Sequence, residues 1–312
     1  MKQGIYKRLR TPVGRAEARR GPRGRRPGSA TCLCYASCVN SKLFRGTRLN
    51  PTAARDVADH LPVEAVLQIK VNGVAYTITV RTPGADEALA RGLLFTEGVL
   101  TDPGVCPTFH AIADPDTGLT GCLEIAVPEG ALAKDITGRR SSMSSASCGL
   151  CGIREPEELA LRGAPLVAPP ARLLSYATIA ILMEALPAHQ PLFQATGGVH
   201  GAMAFAPDGR ILAHHEDIGR HNAVDKVIGD LLTQGRLGEA CGVVVSGRTS
   251  YEIVFKAFQA GWPYLLSVSA PSSLAVEMGQ AFGLCVVGFC RGDRATVYSR
   301  AELIEGRAGT VD

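Results

Sequence analysis

The stretch 241–289, CGVVVSGRTSYEIVFKAFQAGWPYLLSVSAPSSLAVEMGQAFGLCVVGF, decides the fold. Three runs rich in valine and leucine, at 242–245, 264–268 and 284–289, have the length and β-branched content of buried strands. Between them, 251–260 and 273–282 read as helices. Thr249 and Glu252 stand three apart as a capping box before the first. Gly261 and Gly283 follow the two helices where a left-handed stop is wanted. Strand, helix, strand, helix, strand is the pattern of an α/β layer with at least some parallel pairing.

Moving outward, Val224, Val227, Ile228, Leu231 and Leu232 repeat at i, i+3, i+4, i+7 and i+8, the core stripe of a further helix. Ahead of it, 202–206 and 211–214 flank a Pro207-Asp208-Gly209 turn as two strands, and 173–186 is an apolar helix. In the first half, 64–70 and 74–81 are β-rich runs separated by Asn72-Gly73, the strongest short hairpin signal. A helix fits 85–96, with Thr82 and Pro83 at its start and Gly98 beyond its end, and 122–127 reads as a strand. Residues 137–152 break all periodicity and form a serine-rich loop. The ordered body is expected to begin near Asn50. The resulting expectation is a basic disordered tail (1–48), a smaller β-rich α+β subdomain (49–170) and an α/β domain (171–312).

Charge narrows the function. The chain carries 33 Lys and Arg against 29 Asp and Glu, but residues 1–28 alone hold ten of the bases and only one acid, Glu17. What remains is 23 against 28, a body near −5. Such a body is not built to hold a polyanion by its general field, so no nucleic-acid partner is expected. The Arg-, Gly- and Pro-rich tail lacks an apolar period and reads as disordered, or as the product of a misassigned start. No run approaches the 18 or so apolar residues of a membrane span, and 31–39 is too short and polar for an export signal. A cytoplasmic protein is expected, its ten cysteines largely reduced. Cys122, Cys241 and Cys285 lie in apolar strand-like runs and read as small buried hydrophobes.

Cys148 and Cys151 stand apart, in Ser147-Cys148-Gly149-Leu150-Cys151-Gly152. The C-x-x-C spacing serves zinc binding, thiol–disulfide exchange or sulfur relay. A structural zinc needs four ligands; no second C-x-x-C is present, and His215 and His221, six positions apart, lie more than sixty residues beyond Cys151. A redox motif favours a strand-to-helix setting over a serine-rich loop. A relay would use a thiolate to attack a persulfide and carry its outer sulfur, with flanking glycines allowing close approach. The spacing alone leaves all three open. Four polar clusters, 196–201, 216–222, 246–250 and 269–273, fall at strand ends that lead into helices, where phosphate is commonly held. Arg220, Arg248, Arg291 and Arg294 are near them in sequence. Plain helix capping is the competing account of each cluster.

Taken together these residues resemble the FdhD-type formate dehydrogenase accessory sulfurtransferases. The resemblance spans roughly Arg55 to Tyr298. It rests on Arg81-Thr82-Pro83-Gly84, Phe95-Thr96-Glu97-Gly98, the 147–152 loop, the clusters above, and 289–294. It implies a sulfurtransferase that takes sulfur from a cysteine desulfurase as a persulfide on Cys148, with Cys151 assisting. The acceptor it implies is the molybdenum or tungsten bis(molybdopterin guanine dinucleotide) cofactor of formate dehydrogenase. Contacts to that cofactor would fall on Phe289, Cys290, Arg291, Gly292, Asp293 and Arg294, with His221 and Arg248 beside them. It further implies a homodimer, the formate dehydrogenase catalytic subunit as partner, and a larger domain of cytidine-deaminase-like fold. A deaminase needs H-x-E followed by P-C-x-x-C. Here Gly201 and Ala202 follow His200, so neither deamination nor a bound metal is expected. The rival readings are a cofactor-binding chaperone that moves no sulfur, and a zinc-binding C-x-x-C protein.

Overall fold

A computed structural model describes residues 40–128, 130–133, 165–166 and 173–306. Cys148, Cys151 and the 137–152 loop lie outside them. The strongest local signals become the elements they announce. β3 (Ala65–Val71) and β4 (Val74–Arg81) pair antiparallel through Asn72 and Gly73, whose φ angles of 48° and 80° make the double left-handed turn that Asn-Gly favours. β6 (Thr120–Ala126) lies parallel to β3, and β5 (Thr108–Ala113) antiparallel to β6, giving a four-stranded sheet in the order β4-β3-β6-β5. Helix α1 (Asp86–Thr96) buries Leu89, Ala90, Leu93 and Leu94 against its inner face with Leu67, Ile69 and Leu123.

The second sheet has six strands in the order β12-β11-β10-β9-β7-β8. Its centre is the parallel trio β9 (Gly242–Val245), β10 (Tyr264–Ser267) and β11 (Cys285–Arg291). β7 (His200–Phe205), β8 (Ile211–Asp217) and β12 (Arg294–Val297) join antiparallel. Helices α4 (Arg220–Thr233), α5 (Tyr251–Gln259) and α6 (Ser273–Phe282) cover one face and form a continuous apolar core with Val243, Val245, Leu265 and Val286. Helix α2 (Tyr176–Ala185) and the 3-10 turn Ala301–Leu303 cover the other, around Met203, Val244, Leu266 and Val287. α3 (Pro191–Thr196) is a short helix with Pro191 in its first turn. Burial on both faces explains why the central strands read as unbroken apolar runs.

The two sheets meet where α1 crosses α4, at two glycines. A Cβ on Gly92 would stand 1.9 Å from the Asp225 carbonyl oxygen, and one on Gly229 would stand 1.8 Å from that of Ala88. Only bare backbones fit this close. Buried charges reinforce the seam. Lys256 Nζ reaches both oxygens of Asp225 at 2.7 and 2.8 Å, and Thr96 Oγ1 at 3.0 Å. Lys226 Nζ lies 2.7 Å from Asp217 and donates to the Thr82 carbonyl at 2.8 Å. Arg81, fully buried, grips Asp86 with two hydrogen bonds of 2.8 and 2.9 Å and so fixes the start of α1. Such pairs stabilise little against an apolar replacement, yet removing one partner strands the other at a cost of roughly 3–5 kcal/mol.

Two expectations need correction. β1 (Ser41–Asn50) and β2 (Ala53–Pro62) form a ten-residue antiparallel ribbon, so folded structure precedes Asn50. The Thr249–Glu252 capping box does not form. Ser250 is the N-cap, and Glu252 turns to His221, 2.5 Å away. A nearby imidazole is the stronger partner for that carboxylate.

Candidate functional site

The carboxyl ends of β9 and β10, the start of β7 and the end of β11 enclose a cavity of about 630 Å³. Ligands of open α/β sheets occupy this position, outside the strand ends. One wall is apolar, from Met183, Leu186, Phe193 and Val199, and a few polar groups converge on it, as in small-molecule sites generally.

Those groups are held in place from below. Ser246 follows β9; its Oγ accepts from Gly201 N at 2.9 Å, while Ser246 N donates to the Gly201 carbonyl at 3.0 Å. His200 opens β7. Gly247 passes so near its ring that a Cβ there would lie 3.1 Å from Nδ1. Burial lowers the pKa of His200, and Arg220, His221 and Arg248 lower it further, Asp217 opposing. The ring is therefore neutral at physiological pH and can offer a lone pair or one N–H. Gly197, left-handed at φ 66°, ends α3 and turns the chain into Gly198 at the cavity edge. Glu216 accepts from Leu192 N at 2.8 Å and Phe193 N at 2.7 Å, holding α3 against the sheet.

The segment 289–294 is the end of β11, a two-residue turn at Gly292-Asp293, and the start of β12. A bulge puts Phe289 at φ 53°, rare for a residue with a side chain, and leaves it 41% exposed. Backbone held this way recurs at functional sites. The bulge also returns Cys290 to the cavity side, beside Arg291 and Gly292. Arg291 Nε donates to the Val268 carbonyl at 2.9 Å, which anchors its guanidinium at the rim. Of the residues expected to contact a ligand, Cys290, Arg291 and Gly292 line the cavity, whereas Phe289, Asp293, Arg294, His221 and Arg248 do not. His221 is engaged by Glu252 and, at 3.1 Å, by Ser250 Oγ. Cys148 and Cys151 lie outside the described residues.

The 216–222 cluster divides into two jobs. Asp217 and Asn222 turn inward: Asp217 accepts from Thr82 N at 3.2 Å and Gly219 N at 2.8 Å, and Asn222 Nδ2 donates to Val80 O at 2.9 Å. They bind the two sheets together. Arg220 and His221 instead add positive charge near His200, which helps to lower its pKa. The last cluster is in part plain capping, since Ser272 Oγ accepts from Ala275 N.

Burial pushes the Cys241 and Cys285 thiols up to about 12, and raises Cys290 as well. Thiolate is the nucleophile, so these three are inert. Cys122 is half-buried, less enclosed than its sequence suggests, and Cys106 is exposed. In native protein at neutral pH, iodoacetamide is expected to modify Cys106 and spare Cys241, Cys285 and Cys290 until denaturant is added. Peptide-mapped mass spectrometry reads this directly, and rapid native labelling of Cys290 would contradict it.

Gln190, between α2 and α3, also lines the cavity. It carries no motif; the only local signal was Pro191 after it, which marks a helix start. Among the described residues, no helix is long and apolar enough to cross a membrane.

The FdhD/NarQ family matches residues 62–305. A sulfur carrier protein FdhD of Anaeromyxobacter dehalogenans (strain 2CP-C) is 41% identical over 257 residues, covering 79% of this chain and 88% of that one. Its counterpart in Mycolicibacterium paratuberculosis is 39% identical over 264 residues, covering 81% and 95%. A crystal structure from Desulfotalea psychrophila, described as a formate dehydrogenase accessory protein, superposes with a TM-score of 0.66. It covers 85% of this chain and 99% of its own at 23% identity, and so speaks for the fold alone. Match length and identity together leave no other assignment: the chain belongs to the FdhD/NarQ family.

Proposed function

We propose that this protein is a cytoplasmic sulfurtransferase. It carries sulfur as a Cys148 persulfide from a cysteine desulfurase to the molybdenum or tungsten bis(molybdopterin guanine dinucleotide) cofactor that formate dehydrogenase requires. The observation that carries the reading is the 41% identity, over most of both chains, to proteins named sulfur carriers. In the loading step the Cys148 thiolate attacks the outer sulfur of the donor persulfide. The donor's S–S bond breaks, its thiolate leaves, and a new S–S bond forms on Cys148. An acceptor that supplies the electron pair for its new bond to the outer sulfur breaks the S–S bond and returns Cys148 to the thiolate. Cys151 assists by tuning this thiol, or resolves the persulfide by attacking the Cys148 sulfur, which expels hydrosulfide and leaves a Cys148–Cys151 disulfide for a cellular thiol to reduce.

The cofactor is cargo here, and the cavity suits part of it. About 630 Å³ holds one nucleotide arm, within the usual range for small-molecule sites, but not both arms at once. With the body near −5, phosphate must be held by local donors such as Arg291. The protein should therefore bind GDP in preference to ADP. A charge-assisted arginine–phosphate bond contributes roughly 1.5–3 kcal/mol, so Arg291→Ala should weaken GDP about ten- to a hundredfold. Arg294→Ala, off the cavity wall, should do less. Calorimetry with both nucleotides tests this. Equal affinity for GDP and ADP, or unchanged GDP binding in Arg291→Ala, would remove the nucleotide from this cavity.

The larger domain is read as a cytidine-deaminase-like layer whose strand ends serve cargo binding in place of metal chemistry. The working unit is read as a homodimer that delivers to the formate dehydrogenase catalytic subunit. The β1–β2 ribbon supports the dimer. It exposes Leu43, Phe44, Leu49 and Leu61, and a lone two-stranded ribbon is marginal in water unless something covers it.

A further inference from the structure

We infer that Gln190 is the residue through which this cavity reads the ring of its ligand, an inference that rests on the nucleotide reading above. Gln190 is only 5% exposed, and its Nε2 is enclosed without a hydrogen-bond partner. Native proteins seldom leave a buried amide unpaired without a reason. Its backbone offers none, being fully engaged: Gln190 N donates to Pro187 O at 3.0 Å, and Gln190 O accepts from Gln194 N at 2.9 Å. The side chain is not capping α3 either, because Glu216 takes the Leu192 and Phe193 amides.

Room for the carboxamide is provided by Gly201, where a Cβ would fall 2.5 Å from Nε2. Any side chain at 201 would displace Gln190 from the cavity wall. The last torsion of a glutamine is soft, so a small turn brings the amide from its resting place into the open space. Gln190 then offers a donor to the ligand, while Arg291, anchored on Val268 O, offers charge at the rim. An apolar wall with Met183, Phe193 and Val199 completes the lining. A flat heterocycle with an acceptor edge, joined to an anionic group, matches this set. The guanine O6 and N7 edge is such an acceptor.

The test is displacement of a fluorescent GDP analogue by GDP and by pyrophosphate, which has the charges but no ring. Gln190→Leu is expected to weaken GDP about tenfold and leave pyrophosphate unchanged, and Arg291→Ala to weaken both. Gln190→Met keeps the length, loses the donor and adds no charge, and should reproduce the GDP loss if the leucine variant does not fold. GDP affinity unchanged in the Gln190 variants, or pyrophosphate falling in step with GDP, would overturn the inference while leaving the nucleotide reading intact. A wild type that binds no GDP at all would overturn that reading, and this inference with it.

Discussion

Cys148→Ala is expected to give a soluble, folded protein and a cell whose formate dehydrogenase is inactive. The physical ground is that three of the five described cysteines are closed to this chemistry, while the exposed Cys106 lies off the cavity wall. Of the described cysteines, Cys241, Cys285 and Cys290 are buried with raised pKa, and therefore nearly all thiol at neutral pH. Cys290 lines the cargo cavity, but its Sγ lies 3.9 Å from the Val287 and Gly288 carbonyls, in a setting that opposes ionisation. It cannot stand in for a relay thiol. Cys148, flanked by glycine and followed by Cys151 at C-x-x-C spacing, has the sequence setting that lowers a thiol pKa. Loss should approach the background of a strain lacking the gene. Cys151→Ala should retain part of the activity if its role is to tune or resolve. Full formate dehydrogenase activity with Cys148→Ala would refute the assignment.

Gly229→Ala should destabilise the fold by about 3 kcal/mol or more, the upper end of overpacking effects, because the added carbon meets backbone. A side chain could swing aside; the Ala88 carbonyl at 1.8 Å can move only with its helix. Separating α1 from α4 would also disturb the Lys256–Asp225–Thr96 cluster, which spans the same seam. Gly92→Ala should behave alike, from the opposite side of the crossing. Gly238→Ala is the control. Nothing lies within 4 Å of its missing Cβ and its φ is not left-handed, so it should change stability by no more than about 0.5 kcal/mol. Urea unfolding of the three variants measures this, and equal midpoints would mean the crossing is looser than described.

Elements with strong local punctuation were legible in the sequence nearly residue for residue. Asn72-Gly73 announced its hairpin, and Gly283 ended α6 in the left-handed region at φ 79°. The valine-rich run of β9 was readable because both faces of that sheet are covered. The β1–β2 ribbon was not, since nearly every residue on it is exposed and neither face imposes an apolar alternation. α3 escaped because six residues are too few to show a helical period.

The candidate site was half legible, for a related reason. Cys290, Arg291 and Gly292, which the sequence singled out, line the cavity. The rest depends on partners distant in sequence. Glu252 looked like a local cap until His221, 31 positions earlier, claimed it. Asp217 belongs to a polar cluster at a strand end, but Lys226 and Thr82 hold it inside the seam. Gln190 had no signal of its own, because what singles it out is a missing partner and a glycine at 201 in another strand.

The central claim is that sulfur travels on Cys148, and intact mass spectrometry addresses it most directly. The purified protein is incubated with a cysteine desulfurase and cysteine, then weighed without reductant beside Cys148→Ala. The account predicts added mass in steps of one sulfur, about 32 Da, on the wild type. That mass should be lost on treatment with dithiothreitol and absent from the variant. Equal sulfur loading on Cys148→Ala, or none on the wild type, would contradict it.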